Sequence, residues 1–182
     1  MEQVQQQETK HGVYFANLSA YVSGRMVGGW LYPLAYDSFE AFEVAIKEVT
    51  RNADEVAVHD YDDFPNMGEY PDYAELYELI HAIEDSYLDN EVLIKYITEH
   101  HGYSVVISPM NLVDEAEDKY ITTCDSWKEF AIDWAEQEIE QTVNKEAVQF
   151  VLNNFDYDSY ARDLQHSFSS IKLSDYSVAI FT

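Results

Sequence analysis

The sequence predicts an α+β protein, and three observations lead to this class. Short stretches rich in aromatic and β-branched residues, bounded by turn residues, lie near both ends of the chain and predict strands. Between them, apolar residues recur at spacings of three and four, which predicts amphipathic helices. The 182 residues are 47% apolar and 15% aromatic, enough to form a core in one large domain or in two or three small ones.

The N-terminal part predicts a β-β-α-β domain over residues 13–65, preceded by a polar, disordered tail over 1–12. The first two strands form a hairpin around a Ser-Gly turn, and Asp37 or Ser38 caps the helix. The predicted elements are a strand over 13–21, a strand over 25–33, a helix with the apolar face Phe39, Phe42, Ile46 and Val49, and a strand over 55–61.

The middle part, residues 66–118, predicts a helical domain. Pro71 suits the first turn of one helix, and Gly102 suits the end of the next. The predicted elements are a helix with the apolar face Tyr73, Leu76, Ile80, Ile83 and Tyr87, a helix over 89–101, and a helix over 108–118.

The C-terminal part, residues 119–182, predicts an α/β domain. Trp127, Phe130 and Trp134 share the side of one helix that suits a core. The predicted elements are a strand over 120–124, helices over 126–140, 145–155 and 156–165, and a closing hairpin of strands over 168–173 and 176–181.

Acidic residues dominate the chain, with 35 Asp and Glu against 10 Lys and Arg and a net charge of −25. Thirteen carboxylates and no Lys or Arg lie between Arg51 and Lys95. This charge argues against direct binding to nucleic acid or to an anionic membrane, and favours a basic partner or cations. No apolar run approaches the ~20 residues that span a bilayer.

Motifs for catalysis and for cofactors are absent from the sequence, which has no GxSxG, P-loop, GxGxxG or HExxH pattern. We therefore expect no enzyme, no cofactor and no metal. The single Cys124 gives no disulfide, which suits a reducing cytoplasm, and is interpreted as a small structural residue. Gly28 and Gly29 are interpreted as a close backbone approach beside Trp30 rather than a phosphate loop.

Three aspartates cluster at Asp60, Asp62 and Asp63, and clustered carboxylates are typical ligands of calcium. An EF-hand loop that starts at Asp60 would need a glycine and a glutamate where the chain has Pro65 and Pro71, so the match fails. A weak divalent-cation site stays as an alternative.

The arrangement of carboxylates on one helix is more informative. Glu129, Asp133, Glu136 and Glu140 are spaced to form one stripe, extending over ~16 Å with a charge every ~5.5 Å. A second line, at a spacing of three, consists of Asp72, Glu75 and Glu78. DNA presents phosphates at roughly 3.4 Å of rise per strand, so such stripes can present a comparable field to a basic groove. The alternative is an acidic surface that only keeps the protein soluble.

Three segments in this order resemble the ArdA family of antirestriction proteins: VYFANLSAYVSGRMVGGWLYP (13–33), VHDYDDFP (58–65) and FDYDSYARDL (155–164). The family's glycine in the second segment is Asp63 here, so the turn differs and carries more charge.

The resemblance implies an elongated chain of three small domains that dimerises through the C-terminal domain. It implies a B-DNA mimic, made by a mobile element, that occupies the DNA-binding groove of type I restriction–modification enzymes without catalysis or a cofactor. It also places an acidic antirestriction region around 118–138. Two alternatives stay open, an acidic mimic of DNA for another basic protein and an acidic cation-binding protein.

The residues expected to face a partner are exposed carboxylates. They are Asp60, Asp62, Asp63, Glu69, Asp72, Glu75, Glu78, Glu84, Asp85, Asp114, Glu115, Glu117, Asp118, Asp125, Glu129, Asp133, Glu136 and Glu140. Trp30, Tyr61 and Tyr160 are expected to anchor the scaffold, with the tyrosine rings inward and the hydroxyls near the surface. Arg162 is expected to pair with Asp156, Asp158 or Asp163. The sequence predicts no position in the fold for the apolar segment 102–112.

Overall fold

The computed structural model describes residues 10–101 and 109–182. They form a mixed α and β fold in two compact units, an N-terminal unit that ends at Glu117 and a C-terminal unit over Asp118–Thr182. The α+β class is confirmed. The arrangement in three domains is not confirmed by this division and stays a prediction.

The N-terminal unit contains a three-stranded sheet and a group of helices. In chain order its elements are β1 (Gly12–Asn17), α1 (Leu18–Val22), β2 (Gly28–Leu31), a 3₁₀ turn (Pro33–Ala35), α2 (Phe39–Val49), β3 (Val56–Asp62), α3 (Tyr73–Asp85), α4 (Asn90–His101) and α5 (Pro109–Lys119), the last of which runs across the division.

The antiparallel sheet has the strand order β2-β1-β3. The predicted hairpin of β1 and β2 exists, but both strands are shorter than expected, because a helical turn, α1, lies between them. Asn17 causes this: its side chain accepts from the backbone N–H of Ala20 at 2.9 Å and so caps a helix. The backbone N–H of Asn17 then donates to Val27 at 2.8 Å, which begins the return of the chain.

Helix α2 covers the inner face of the sheet. Ser38 caps it, as one of the two predicted residues, and Phe42 and Ile46 are buried. Phe42 packs edge-on against Phe15 of β1 with ring centroids 5.8 Å apart. A Cβ on Gly28 would lie 2.2 Å from the carbonyl oxygen of Phe15, so the expected close backbone approach is confirmed there.

Helix α3 differs from the prediction at both ends. Pro71 precedes the cap, which is Asp72, and the helix starts at Tyr73. Its inner face buries Leu76, Leu79, Ile80 and Ile83 as the spacing requires. Tyr87 was expected on this face, but α3 ends at Asp85 and Tyr87 is exposed.

Two predictions fall partly outside the described residues. The end of α4 at Gly102 lies outside them, and so does most of the apolar segment 102–112. The last residue of that segment, Leu112, is buried on α5.

His11 and Gly12 were expected in the polar tail, but both belong to the fold. Gly12 begins β1, and His11 is fully buried. Its ring contacts the carbonyl oxygen of Asp63 through Nδ1 and lies 2.9 Å from a carboxylate oxygen of Glu84 through Nε2. His11 therefore ties the end of β3 to the end of α3.

The C-terminal unit packs helices against a second antiparallel sheet, with the strand order β4-β6-β5. Its elements are β4 (Tyr120–Cys124), α6 (Trp127–Thr142), α7 (Lys145–Asn153), α8 (Tyr157–Leu164), β5 (Ser169–Lys172) and β6 (Val178–Phe181). Each was predicted to within two residues at either end. The core contains Phe130, Ala131, Ala161, Leu164 and Ile180, with Trp127, Trp134 and Phe168 packed against it.

Candidate partner-binding surface

The stripe of carboxylates on α6 is held by the packing of the opposite side of the helix. Ser126 caps α6 by accepting from the backbone N–H of Glu129 at 3.2 Å. Phe130, Ala131 and Ala135 are buried and fix the rotation of the helix about its axis. The four residues of the stripe are consequently all exposed: Glu129, Asp133, Glu136 and Glu140.

The charge of this stripe is not neutralised within the part of the chain that the structure describes. None of its four carboxylates forms an ion pair with a described residue. Lys128, the cation on the same helix, pairs instead with Asp158 of α8 at 2.9 Å. A carboxylate oxygen of Glu129 accepts from the backbone N–H of Asp125 at 2.6 Å, which fixes its orientation. The stripe is thus a line of exposed negative charge on a helix whose rotation is fixed by its packing.

The second line, on α3, is less uniform than the sequence suggests. Asp72 is exposed, but its carboxylate accepts from the backbone N–H groups of Ala74 and Glu75 at 2.8 and 3.1 Å. Glu75 is half-buried, and Glu78 is exposed. Asp72 therefore has a structural role as well as a charge.

Packing of α3 beside α5 forms an acidic cavity that the sequence did not predict. The cavity has a volume of about 420 Å³. Four of the predicted carboxylates line it, together with His81: Glu78, Asp85, Asp114 and Glu117. His81 is half-buried, and its ring lies tilted against that of Tyr77 with ring centroids 4.2 Å apart.

The other predicted carboxylates are mostly accessible. The exposed ones are Asp60, Asp62, Asp63, Glu69, Glu84, Asp85, Asp114, Asp118 and Asp125, whereas Glu115 and Glu117 are half-buried. Glu84 also contacts His11 and Asn90, so part of its surface is committed to the fold.

Two tyrosines expected to anchor the scaffold form hydrogen bonds. The hydroxyl of Tyr61 donates to the carbonyl oxygen of Gly68 at 2.7 Å, and burial raises the pKa of this phenol. The hydroxyl of Tyr160 donates to a carboxylate oxygen of Glu138 at 2.7 Å. Burial, followed by the bond to Glu138, raises the pKa of Tyr160 to about 12. Glu138 was absent from the predicted set.

Trp30 and Arg162 differ from the expected role in the scaffold. Trp30 packs edge-on against Tyr14 but keeps 39% of its surface exposed. Arg162 was expected to pair with a neighbouring aspartate, but it is exposed and forms no ion pair with any described residue. Two of the three predicted aspartates have other partners: Asp156 accepts from the backbone N–H of Ser159 as the cap of α8, and Asp158 pairs with Lys128.

The thiol of Cys124 lies 3.6 Å from the carbonyl oxygen of Val178, and burial and Glu129 raise its pKa. A raised pKa lowers the thiolate fraction, so this cysteine is a poor nucleophile. Among residues 10–101 and 109–182, no group of three or more acidic, His or Cys side chains is placed to hold a metal ion. Within the same ranges, no helix combines the length and apolar character needed to cross a bilayer.

Fold and surface together define an acidic α+β protein with a fixed, exposed array of carboxylates. The family model of the antirestriction protein ArdA matches residues 13–176. The chain therefore belongs to the ArdA family, and the resemblance seen in the sequence is confirmed. No curated protein matches the chain. Membership implies an antirestriction function through interaction with restriction enzymes, in a family of inhibitors rather than enzymes.

Proposed function

We propose that this protein is a B-DNA mimic that inhibits type I restriction–modification enzymes by occupying their DNA-binding groove. The observation that carries the proposal is the exposed, unpaired stripe of Glu129, Asp133, Glu136 and Glu140 on a helix of a family that acts against restriction.

The physical basis is a match of charge on a rigid scaffold. One carboxylate per ~5.5 Å along α6 compares with one phosphate per roughly 3.4 Å along each DNA strand. The helix needs no reorganisation on binding, because Phe130 and its neighbours already hold it. The net charge of −25 steers the protein toward a groove lined with Lys and Arg.

A homodimer through the C-terminal unit is part of the proposal, since two copies would double the acidic surface. Helix α7 supports it. None of its residues is buried, and Phe150 keeps 73% of its surface exposed, so an apolar face is available to a second copy.

The test is ATP-dependent cleavage of unmodified DNA by a purified type I enzyme, with this protein titrated in at two salt concentrations. The variant is Asp133→Lys, Glu136→Lys and Glu140→Lys together. Glu129 is left unchanged because it accepts from the backbone of Asp125. At roughly 1 kcal/mol for each reversed charge, inhibition should weaken about 100-fold.

The matched control carries the same change of net charge elsewhere on the surface. Glu48, Asp54 and Glu55 are exposed and lie outside the predicted set, so their triple change to Lys should cost less than about tenfold. Equal inhibition by the wild type and the folded stripe variant would refute the proposal. Absence of inhibition by the wild type, across several type I enzymes, would point to another basic protein, to be sought by capture from a lysate.

A further inference from the structure

A row of aromatic rings lies across the outer face of the N-terminal sheet. Trp30 of β2 and Tyr14 of β1 are in register and meet edge-on with centroids 5.5 Å apart. The ring of His59 on β3 stacks on Tyr14 at 6.5 Å, and Tyr21 of α1 meets His59 edge-on at 4.8 Å. We call Trp30, Tyr14, His59 and Tyr21 the aromatic patch.

The patch is open to solvent. Tyr21 keeps 51% of its surface exposed and Trp30 keeps 39%. His59 is exposed as well, and Tyr14 is half-buried. Exposed aromatic side chains grouped in this way are typical of an interaction site.

An irregularity in β3 adds a carboxylate to this face. Tyr14 pairs with Asp60 and Phe15 pairs with Val58, so His59 is the extra residue of a β-bulge. His59 and Asp60 are therefore both exposed beside Tyr14. Trp30, Tyr14 and Asp60 occupy one cross-strand row, with the carboxylate at its β3 end.

We propose that the aromatic patch with Asp60 is a docking surface for arginine side chains of a basic protein partner. Ring faces carry negative partial charge and attract cations, and a guanidinium plane can stack on a ring while it bonds to a carboxylate. A simpler cation–ring contact occurs in the C-terminal unit, where the ammonium group of Lys172 lies 5.1 Å from the ring centroid of Tyr176.

Charge decides between a basic partner and nucleic acid. Exposed rings on a sheet can also stack bases, but phosphates would be repelled by Asp60 and by the net charge of −25. The inference rests on the proposed function, because it assumes a basic groove as the partner. It adds a contact that depends on ring faces rather than on net charge alone.

The experiment compares a peptide of ten arginines with a peptide of ten lysines, each titrated into the full chain by calorimetry at two salt concentrations. The two peptides carry equal charge, so a difference in affinity reports contacts specific to the guanidinium group, either with carboxylates or with ring faces, and the ring variants separate these two sources. The patch predicts that wild type binds the arginine peptide about tenfold more tightly. Two paired variants isolate the rings: Tyr21→Leu with Trp30→Leu keeps apolar surface, and Tyr21→Phe with Trp30→Phe keeps aromatic faces.

The leucine pair should lose the preference for arginine, and the phenylalanine pair should keep most of it. In a proton–nitrogen spectrum, the arginine peptide should shift the indole signal of Trp30 and leave those of Trp127 and Trp134 in place. If the leucine pair does not fold, Tyr21→Leu alone serves, because Tyr21 is half exposed. Equal affinity of wild type for both peptides, or an unchanged preference in the leucine variants, would overturn the inference.

Inhibition of a type I enzyme separates this inference from the proposed function. The leucine pair should inhibit about tenfold less well with an unchanged salt dependence, whereas the stripe variant should have a weaker salt dependence.

If wild type inhibits and the leucine pair inhibits equally, the patch is not used and only this inference fails. If wild type does not inhibit, the proposed function fails, and the peptides alone decide the chemistry of the patch. A changed oligomeric state of the leucine pair, with peptide binding intact, would assign the patch to a second copy and overturn the inference.

Discussion

Replacing Phe130 by alanine should remove most of the stability of the C-terminal unit and leave the stability of the N-terminal unit unchanged. Phe130 is 2% exposed and contacts three aromatic rings, with centroids 5.8 Å away at Trp127, 5.3 Å at Trp134 and 5.5 Å at Phe168. Removal of a buried phenylalanine costs about 4 kcal/mol through lost transfer energy and the cavity left behind. A unit of this size has only roughly 5 kcal/mol of stability, so most of it should be lost.

The assay is urea unfolding followed by near-ultraviolet circular dichroism, supported by indole signals in a proton–nitrogen spectrum. Trp127 and Trp134 report on the C-terminal unit and Trp30 on the N-terminal unit. Gln137→Ala is the control, because this side chain of the same helix is exposed and lies outside the stripe and α7, and it should change stability by less than about 0.5 kcal/mol. A loss below about 1.5 kcal/mol for Phe130→Ala would refute the assignment of Phe130 as the centre of this core.

Three further predictions test local features. Tyr160→Phe removes a phenol whose pKa is raised from 10.0 to about 12 in the folded chain. Since the folded state favours the neutral phenol, wild type should lose stability relative to the variant as the pH rises from 10 to 12. Thermal melts measure this loss, and parallel curves of stability against pH for the two proteins would contradict it. Asp72→Ala should lower the free energy of urea unfolding by about 1 kcal/mol, because α3 loses its cap. Asp72→Asn keeps a hydrogen-bond acceptor and should lower it by less than about 0.5 kcal/mol. Equal losses in the two variants would reject the capping role. Gly28→Ala should lower the free energy of unfolding by about 2 kcal/mol, because its Cβ would lie 2.2 Å from the carbonyl oxygen of Phe15. Gly24→Ala is the control, since Gly24 also has a positive φ but its Cβ would meet no neighbour within 4 Å. An unchanged free energy of unfolding for Gly28→Ala would show that β1 and β2 can separate without cost.

Elements with a clear period were predictable from the sequence. Helices α2 and α6 begin after Ser38 and Ser126 because a serine before an amphipathic run is a strong cap signal. The helix α1 was missed because its five residues, Leu18–Val22, are too few to show a period, and only the side chain of Asn17 marks its start. The burial of His11 was missed for a related reason, since a polar residue beside a Gln-rich stretch gives no sign of partners as distant as Glu84.

Some features of the candidate site also followed from the sequence, and others depended on packing between elements. The exposure of Glu129, Asp133, Glu136 and Glu140 followed from helical spacing, because a core on one side of α6 leaves the other side to solvent. The pairing of Lys128 with Asp158 depends on how α8 packs against α6, and it occupies one of the three aspartates predicted for Arg162, which forms no ion pair with a described residue.

The sequence by itself determined the α+β class, the charge and the periodic helices, because these are properties of composition and local spacing, and its three matching segments carried the resemblance to the ArdA family. Only the tertiary structure decided which carboxylates form no ion pair with a described residue, that α3 and α5 line an open acidic cavity, and that a bulge places His59 and Asp60 beside Tyr14. These features join residues far apart in the chain. Their geometry depends on side-chain packing between elements, which no pattern within a single element encodes.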